Sequence, residues 1–366
     1  MRILTRYVLR EYVVPLFYCL SGFVSIYVLF ELFGSFSRLM RADLPFLMTV
    51  DYFCAYLAPY VEWLVPAALM LAALYTMWSF CRHSELIAMR ANGIGFLAIV
   101  KPILAVAIVM AAFVFWVNDR YVPAKAQWAR QMKTYQFDLE RLEQADKVVF
   151  RNSAASRTWS IGRILGPSGE HLEDVRVTID RPGGGARLRN ITAARVDYLD
   201  GEWWFVEPEV QHFDTKGVEV ATPVPELDAL SLRCFSEFDE SPRDFLMQNR
   251  DPAYNSIADR IRYLRTHPDL AEKARQKAVY DLWAKLLAPL ACIVITLFAI
   301  PAGIASGRQS VFRGILGALG MFFAFYGTVI GCMVLADVGW IPPVPAALCP
   351  YVVFLALGAR AFYRQR

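Results

Sequence analysis

Six long apolar runs dominate the pattern of hydrophobic and polar positions along the chain. A helix needs roughly 20 apolar residues to span the hydrocarbon core of a bilayer. The runs lie at about Val13–Phe33, Tyr56–Phe80, Ile94–Val117, Leu282–Ala305, Gly314–Leu335 and Val344–Ala359. The last run is short and contains Pro350, although a helix can begin at Pro343 or Pro345 because proline suits a first helical turn. The sequence therefore predicts six transmembrane helices in two groups of three.

Residues 118–277, between the third and fourth runs, show a different pattern. A helical continuation of the third run is predicted over Tyr121–Glu143. Short stretches rich in β-branched and aromatic residues then alternate with turns such as Gly166–Gly169 and Arg181–Gly185, as is typical of a β-sandwich or jelly-roll. The predicted strands are Lys147–Phe150, Arg157–Ile164, Leu172–Ile179, Ala193–Leu199, Trp203–Val206 and Val218–Ala221. Asp200-Gly201, between two aromatic-rich strands, predicts a tight hairpin.

The pattern returns to helix before the fourth run. Ile257, Ile261 and Leu264 are spaced i, i+4 and i+7, so they fall on one face of a predicted helix. Its N-terminus would be capped by Asn255 or Ser256, because these side chains accept hydrogen bonds from the first free N–H groups. A second helical stretch from about residue 270 then leads into the fourth run.

Arginine placement predicts the side of the membrane that each segment faces, since short cytoplasmic segments carry an excess of Arg and Lys. With the N-terminus in the cytoplasm, ten arginines lie in the short inner segments and two, Arg38 and Arg41, in the short outer loops. The inner arginines are Arg2, Arg6, Arg10, Arg82, Arg90, Arg308, Arg313, Arg360, Arg364 and Arg366. Both termini are therefore predicted to be cytoplasmic. Residues 118–277 would lie outside, which in a Gram-negative cell is the periplasm.

These patterns together predict the fold class, an α+β membrane protein with six transmembrane helices and an inserted periplasmic β-domain, either a sandwich or a jelly-roll. Residues 1–117 would hold helices 1–3, residues 118–277 the β-domain with its flanking helices, and residues 278–366 helices 4–6. The composition agrees, because 56% of the residues are hydrophobic and the mean hydropathy is +0.34. No small-residue cleavage site follows the first run, so it is predicted to be a retained span.

Several classes of function have no support in the sequence. Of seven cysteines only Cys234 lies in the outer segment, which excludes a disulfide framework there, and no CxxC spacing occurs. Nucleotide-binding GxxxxGK[ST] loops and the HExxH and GxSxG catalytic motifs are absent, and the four histidines are scattered. We therefore predict no catalytic residue, metal, cofactor or nucleic-acid partner. If the protein drives an energy-requiring process, the energy would come from a partner protein or an ion gradient.

The segment Ser84–Gly93 predicts a short cytoplasmic helix between the second and third spans. Ser84 could cap it, Glu85 suits the positive end of its dipole, and Gly93 could end it with a left-handed backbone. Leu86, Ile87 and Met89 would give it an apolar face that nothing in the chain is predicted to cover. Such a helix could lie on the bilayer or dock in a groove on a partner, and the composition favours neither.

Three motifs resemble one known family. The chain has SELIAMRANGI from Ser84, DLWAKLLAPL from Asp281 with Ile300-Pro301 at the end of that run, and GWIPP from Gly339 with Ala346, Ala347 and Pro350 beyond it. The first is similar to the coupling-helix signature of the LptF/LptG lipopolysaccharide-export permeases, and the second to a W-x-K-x-x-x-P pattern of that family. The resemblance covers nearly the whole chain, and the Ile-Pro-Pro stretch favours LptG slightly over LptF.

The resemblance implies a permease subunit of an ABC transporter in the bacterial inner membrane, with a β-jelly-roll as its inserted periplasmic domain. Two such permeases would pair with a cytoplasmic ATPase dimer, so ATP hydrolysis would lie on a separate chain. The complex would extract lipopolysaccharide and pass it to a periplasmic bridge or a single-span jelly-roll partner. The implied ATPase-coupling residues are Ser84, Glu85, Leu86, Ile87, Met89, Arg90 and Gly93. The alternative is a membrane scaffold whose periplasmic domain binds envelope proteins and moves no lipid.

Three basic residues are candidates for binding lipid headgroups. Arg38 and Arg41 could anchor the end of the first helix at the interface, or bind phosphates through their guanidinium forks. Lys285 could likewise be an interfacial lysine, but it belongs to the family's recurring pattern. Family members often place a lysine deeper in the first helix, where this chain has Glu31 and Ser35. Ionisable groups in spans usually face a cavity or a partner.

The remaining candidates are apolar or small. Aromatic side chains in the first, second and fifth runs could contact acyl chains in a cavity or simply face lipid; they are Phe30, Phe33, Trp63, Phe322, Phe323 and Tyr326. Glycines in the fifth run could pack inside the chain or, as the family implies, line the seam to the partner permease. They are Gly314, Gly317, Gly320, Gly327 and Gly331.

Overall fold

The computed structural model divides the chain into two compact units. A membrane unit comprises Met1–Ala129 and Ala271–Arg366, and a sheet unit comprises Arg130–Leu270. The described residues are 2–42, 45–134, 137, 148–152, 155–165, 169–181, 187–214, 219–220, 232–235, 237–242, 244–245, 254–266, 271–306 and 311–363.

Long helices make up the membrane unit. In its first part they are α1 (Arg2–Arg41), α2 (Phe46–Leu57), α3 (Val61–Arg82), α4 (Glu85–Ala91), α5 (Phe96–Trp116) and α6 (Val122–Thr134). A 3₁₀ turn, Ala58–Tyr60, joins α2 to α3, and a π-helical turn, Val117–Tyr121, joins α5 to α6. After α7 of the sheet unit (Ile257–Thr266) come α8 (Glu272–Leu287), α9 (Leu290–Ser306), α10 (Val311–Val338) and α11 (Pro343–Tyr363).

Among the described residues, five continuous helical segments are long and apolar enough to cross a membrane, and a sixth span is possible if α8 and α9 count as one. These two helices are bent by 54° at the break between them. The sequence predicted one run there, and Pro289 explains the difference, because proline cannot donate to the helical ladder and disfavours helix in the residue before it. The last span begins at Pro343, one of the two predicted starts.

At two prolines inside spans, a hydroxyl group on a neighbouring helix replaces the hydrogen-bond donor that the proline removes. A proline leaves the carbonyl four residues earlier without its helical donor. For Pro15 this carbonyl is that of Glu11, to which the Thr76 hydroxyl of α3 donates at 3.1 Å, sharing its proton with the Ala72 carbonyl at 2.8 Å. For Pro66 it is that of Glu62, to which the Tyr326 hydroxyl of α10 donates at 3.3 Å. Both bonds therefore join helices while satisfying a polar group that lipid could not.

Helix α3 lies at the centre of the membrane unit, in contact with α1, α5, α9 and α10. The two helices come into close backbone contact at Gly303 of α9. A Cβ atom at this position would lie 2.7 Å from the Leu74 carbonyl oxygen and 2.7 Å from Met77 Cβ. Only glycine fits such a backbone-to-backbone contact.

The sheet unit contains eight described antiparallel strands. They are β1 (Val148–Asn152), β2 (Arg157–Leu165), β3 (His171–Asp180), β4 (Arg187–Leu199), β5 (Glu202–Val206), β6 (Glu209–Phe213), β7 (Glu219–Val220) and β8 (Leu232–Cys234). The strands pair in the order β1-β2-β3-β4-β5-β8, while β6 pairs with β4 and β7. Along one edge of β4, residues 189–192 pair with β6 and residues 195–199 pair with β5. The sheet therefore divides into two branches at this edge.

Alternating side chains of the sheet form an aromatic core together with Phe245, which lies outside the strands. Trp159, Trp203, Phe205 and Phe245 are all fully buried in it. An inserted antiparallel β-domain is thus confirmed. So is the hairpin at Asp200-Gly201, where both residues have positive φ, +53° and +90°, as a type I′ turn requires.

The remaining predictions for this unit concern its strands, the cap of α7 and features outside the described residues. The predicted strand at Ala193–Leu199 belongs to a longer one, β4, whereas β6 and β8 were not predicted. Ser256 is the predicted cap of α7: its hydroxyl accepts from the N–H of Asp259, whose carboxylate accepts from the N–H of Ser256. Six predicted features lie wholly or partly outside the described residues. They are the helix beyond Thr134, the strand start at residue 147, the turn at 166–168, the turn at 182–185, the ends of the strand at 218–221, and the helix start at residue 270.

Candidate functional site

The predicted coupling motif forms the short helix α4 and the turn that follows it. Gly93 ends the helix as predicted, with φ +79°. Its N–H donates to the carbonyl of Arg90, and the N–H of Ile94 donates to the carbonyl of Met89. These two bonds form a Schellman motif, which needs a residue with positive φ just after the helix.

The predicted cap at Ser84 is wrong. Ser84 has the left-handed values φ 56° and ψ 13°, and its side chain makes no capping hydrogen bond. A capping residue normally has extended backbone, which points its side chain at the free N–H groups of the first turn. The tight turn after α3, in which the Ser84 N–H donates to the carbonyl of Cys81, prevents that conformation.

The apolar face of α4 is partly covered within the chain. Leu86 is buried in the core of the membrane unit, and Met89 packs against the same core. The prediction that nothing in the chain covers this face is therefore wrong for these two side chains, because α4 folds back onto α3. Ile87 is 56% exposed, so among the three it alone offers its surface to a bilayer or a partner.

Glu85, in the first turn of α4, is bound by a residue that the sequence analysis missed. The Tyr7 hydroxyl of α1 donates to Glu85 Oε2 at 2.8 Å. The Tyr7 ring also stacks on Phe80 of α3, with ring centroids 6.0 Å apart. Because 78 residues separate Tyr7 from Glu85, no local sequence pattern indicates this pair.

The candidate headgroup residues lie at helix ends. Arg38 and Arg41 occupy the last turn of α1, where positive charge suits the helix dipole. Both side chains are exposed, and neither forms an ion pair with any residue that the structure describes. Lys285 lies in the last turn of α8, just before the bend to α9, and is half-buried with interactions inside the chain. The two arginines are therefore available to an anionic ligand.

Glu31 lies in a buried polar cluster between α1 and α2. The Ser35 and Tyr52 hydroxyls both donate to Glu31 Oε1, at 2.8 and 2.9 Å, and all three side chains are buried. A buried carboxylate requires such donors because leaving it unpaired is costly. Glu31 thus ties α1 to α2, and Tyr52 is a second contact that the sequence analysis missed.

The aromatic candidates fall into two sets. Phe30 and Phe33 are each 80% exposed and Phe323 is 65% exposed, so these rings face away from the chain. The other set packs α3 against α10: Tyr326 stacks on Trp63 with ring centroids 4.2 Å apart, and its ring lies 4.7 Å from that of Phe322.

Tyr326 is buried, which corrects its proposed role as an acyl-chain contact. Its ring packs between α3 and α10, and its hydroxyl donates to the Glu62 carbonyl, which lacks a helical donor because of Pro66. Trp63 and Phe322, which flank it, keep only part of their surface exposed. The exposed set therefore holds the better candidates for contact with lipid.

The four glycines of α10 whose surroundings the structure describes do not pack inside the chain. A Cβ atom at Gly317, Gly320, Gly327 or Gly331 would meet no other atom within 4 Å, and all four positions are exposed. Together with exposed Ala324, they recur at alternating spacings of three and four residues, so they form one stripe along the helix. Gly314 lies one turn earlier in the same helix, but its surroundings are not among those described.

Of the five continuous spans that the structure describes, those of α1 and α10 are the least buried. In the most apolar stretch of α1 only 6% of the residues are buried, and in that of α10 only 17%, against 61% for the span containing α3. These two helices thus present uncovered faces, the first carrying exposed phenylalanines and the second the glycine stripe.

Among the described residues, no group of three or more His, Cys, Asp or Glu side chains could hold a metal ion. The family model described as "Lipopolysaccharide export system permease LptF/LptG" matches residues 6–364. No curated protein matches the chain.

Proposed function

This chain belongs to the LptF/LptG family of lipopolysaccharide export permeases, and from that premise we propose that it is one of two permease subunits of an ABC transporter. The family are transport permeases rather than enzymes, and the chain is a multi-pass membrane protein. In the proposed complex a cytoplasmic ATPase dimer supplies the energy. The permeases extract lipopolysaccharide from the inner membrane and pass it to a periplasmic bridge or a single-span jelly-roll partner.

The observation that carries this proposal is that α1 and α10 each have a face that the rest of the chain leaves exposed. A stripe of small residues lets two helices approach closely, and such contacts drive helix association in lipid. Because nothing within 4 Å would meet a Cβ at the described glycines of the stripe, the chain does not use this surface itself. A second, homologous permease would cover it, and the lipid cavity would lie between the two.

The proposed orientation rests on the arginine distribution. The excess of ten arginines in the short segments at one side over two at the other supports a cytoplasmic location for both termini. The inserted β-domain then lies in the periplasm, where it would receive the lipid. Helix α4 falls on the cytoplasmic side, where an ATPase can reach it.

Helix α4 would dock on the ATPase through Glu85, Ile87 and Arg90, which it exposes wholly or in part. Leu86 and Met89 would hold the helix in place from inside, and Gly93 would fix its end. Ser84 would belong to the turn that precedes it.

The lipid would be held at two levels. Arg38 and Arg41 would bind its phosphates, since guanidinium groups match phosphate oxygens bidentately, and Lys285 would add a third positive charge. Phe30, Phe33 and Phe323 would contact its acyl chains, with smaller contributions from Trp63 and Phe322.

Co-purification tests the coupling assignment. We expect the chain in mild detergent to bring down a stoichiometric ATPase and a second permease. Glu85→Lys and Ile87→Asp should release the ATPase while the second permease stays bound. Arg360→Glu, a charge reversal at an exposed site near the C-terminus, is the matched control and should release neither. An ATPase that stays bound and active with both α4 variants contradicts the assignment.

A second experiment tests the headgroup site. Arg38→Glu combined with Arg41→Glu should abolish the stimulation of ATPase activity by lipopolysaccharide and weaken crosslinking to the lipid. The pair of Arg→Lys changes keeps the charge and loses the bidentate fork, so it should retain partial stimulation. Unchanged stimulation in the Glu variant would reduce these arginines to interfacial anchors.

A further inference from the structure

A direct contact joins the coupling helix α4 to α1 without passing through α3. The Tyr7 hydroxyl donates to Glu85 Oε2 at 2.8 Å, and Glu85 lies in the first turn of α4. The Tyr7 ring is 41% exposed and stacks on Phe80, which is 1% exposed, so one face of the ring rests on the core of the unit.

We propose that Tyr7 is a positioning residue for Glu85: its hydroxyl orients the Glu85 carboxylate towards the ATPase and passes displacements of α4 to α1. This inference rests on the proposed function. Glu85 is only partly buried, so packing alone leaves its side chain free to rotate. A hydrogen bond to a carboxylate is charge-assisted and stronger than one between neutral groups. With Oε2 held by Tyr7, Oε1 would remain to accept a bond from a partner.

The same region of α1 is fastened to α3 by two further hydrogen bonds. The Tyr12 hydroxyl donates to the carbonyl of Leu69 at 3.3 Å, and the Thr76 hydroxyl donates to the carbonyl of Glu11. Val8 and Tyr12 are fully buried in the core of the unit. Tyr7 is thus on a well-anchored segment, and a displacement of α4 acts on a helix that continues without interruption to Arg41.

The test uses the complete transporter, with its ATPase and second permease, reconstituted in liposomes containing lipopolysaccharide. The ratio measured is lipopolysaccharide delivered to the periplasmic bridge per ATP hydrolysed. Tyr7→Phe removes one oxygen atom and keeps the ring stacked on Phe80. We expect the ATPase to stay bound and the ratio to fall roughly three- to tenfold, as for the loss of one hydrogen bond. Tyr75→Phe is the matched control, because within the described structure this exposed tyrosine donates no hydrogen bond.

A double-mutant cycle separates positioning from a general effect on packing. If Tyr7 acts through Glu85, then Tyr7→Phe has no further effect in a Glu85→Ala chain. Equal losses with and without Glu85 would overturn the proposal. So would a normal ratio in Tyr7→Phe when Glu85→Ala alone lowers it, and that result would leave the proposed function intact. A normal ratio in Glu85→Ala would instead overturn the coupling role of α4, and the assignment of Tyr7 with it.

Discussion

Replacing Gly303 by alanine should loosen the contact between α3 and α9. A Cβ atom at Gly303 would stand 2.7 Å from the Leu74 carbonyl oxygen, 2.7 Å from Met77 Cβ and 3.3 Å from Leu74 Cα. None of these atoms is the far end of a flexible side chain, so the helices themselves must move apart. Overpacking of this kind typically costs about 1–3 kcal/mol.

The same substitution also brings a gain, because alanine is favoured over glycine in a helix by about 1 kcal/mol. Gly331→Ala in α10 is a control for this gain, since a Cβ there meets nothing within 4 Å. The helix-propensity gain is common to both variants and cancels in their difference. The free energy of unfolding of Gly303→Ala should therefore lie about 1–3 kcal/mol below that of Gly331→Ala.

Both variants can be unfolded as isolated chains in mixed micelles of increasing dodecyl sulfate content, with tryptophan fluorescence as the signal. Gly331→Ala should be as stable as the parent chain or more stable. If Gly303→Ala proves equal to Gly331→Ala or more stable, the close approach of α3 and α9 at this glycine is refuted.

Three further predictions concern polar groups. Thr76→Val should lower the free energy of unfolding by about 1–2 kcal/mol in the same micelle assay, because the Glu11 carbonyl loses its donor, whereas Thr76→Ser should retain most of the stability. Partial burial and the hydrogen bond to Glu202 raise the pKa of the Cys234 thiol to about 11. Alkylation of Cys234 at pH 8, followed by mass spectrometry, should therefore be roughly a hundredfold slower than alkylation of an ordinary thiol. Glu202→Gln should accelerate the alkylation. Partial burial of Asp197 opposes its ionisation, but hydrogen bonds from two neighbouring basic side chains outweigh this and hold its pKa below the usual value. Its stabilising contribution is therefore present at neutral pH and lost as the pH falls through the folded-state pKa, so hydrogen exchange of the β3–β4 ladder should be faster in Asp197→Asn at pH 7 and converge with the parent in acid.

Features set by neighbouring residues in the sequence were predictable. The spans follow from apolar length, the hairpin from Asp200-Gly201, and the end of α4 from Gly93. In each case a few consecutive residues specify the backbone without help from the rest of the chain. The family signature followed from motifs for the same reason.

Features that depend on helix packing were not predictable. The sequence shows that Leu86 is apolar, but only the fold of α4 onto α3 decides that it is buried. The partners of Glu31 and Glu85, Tyr52 and Tyr7, lie on other helices. Whether the α10 glycines face the chain or its surroundings depends on how that helix is rotated, and a stripe of small residues suits either arrangement.

Strand β6 was missed for another reason. Glu209–Phe213 shows no clean alternation, and four of its five side chains are half-buried. Its pairing with one half of a β4 edge, next to β5, is a property of the sheet. The helix break at Pro289 was missed although the proline is evident in the sequence. The apolar residues on both sides of it favoured the prediction of one unbroken span.

The length of α1 has a mechanical consequence. At about 1.5 Å per residue its 40 residues extend about 60 Å, roughly twice the thickness of the hydrocarbon core of a bilayer. With a fulcrum at Tyr12, where α1 is bonded to α3, one arm reaches about 8 Å to Tyr7 and the other about 39 Å to Arg38. If α1 turns as a rigid rod together with α2, to which Glu31 ties it, a stroke of about 1 Å at Tyr7 becomes a swing of about 5 Å at Arg38. Such a lever exchanges force for distance, so a small movement of the ATPase at one end would open a wide path for the lipid at the other.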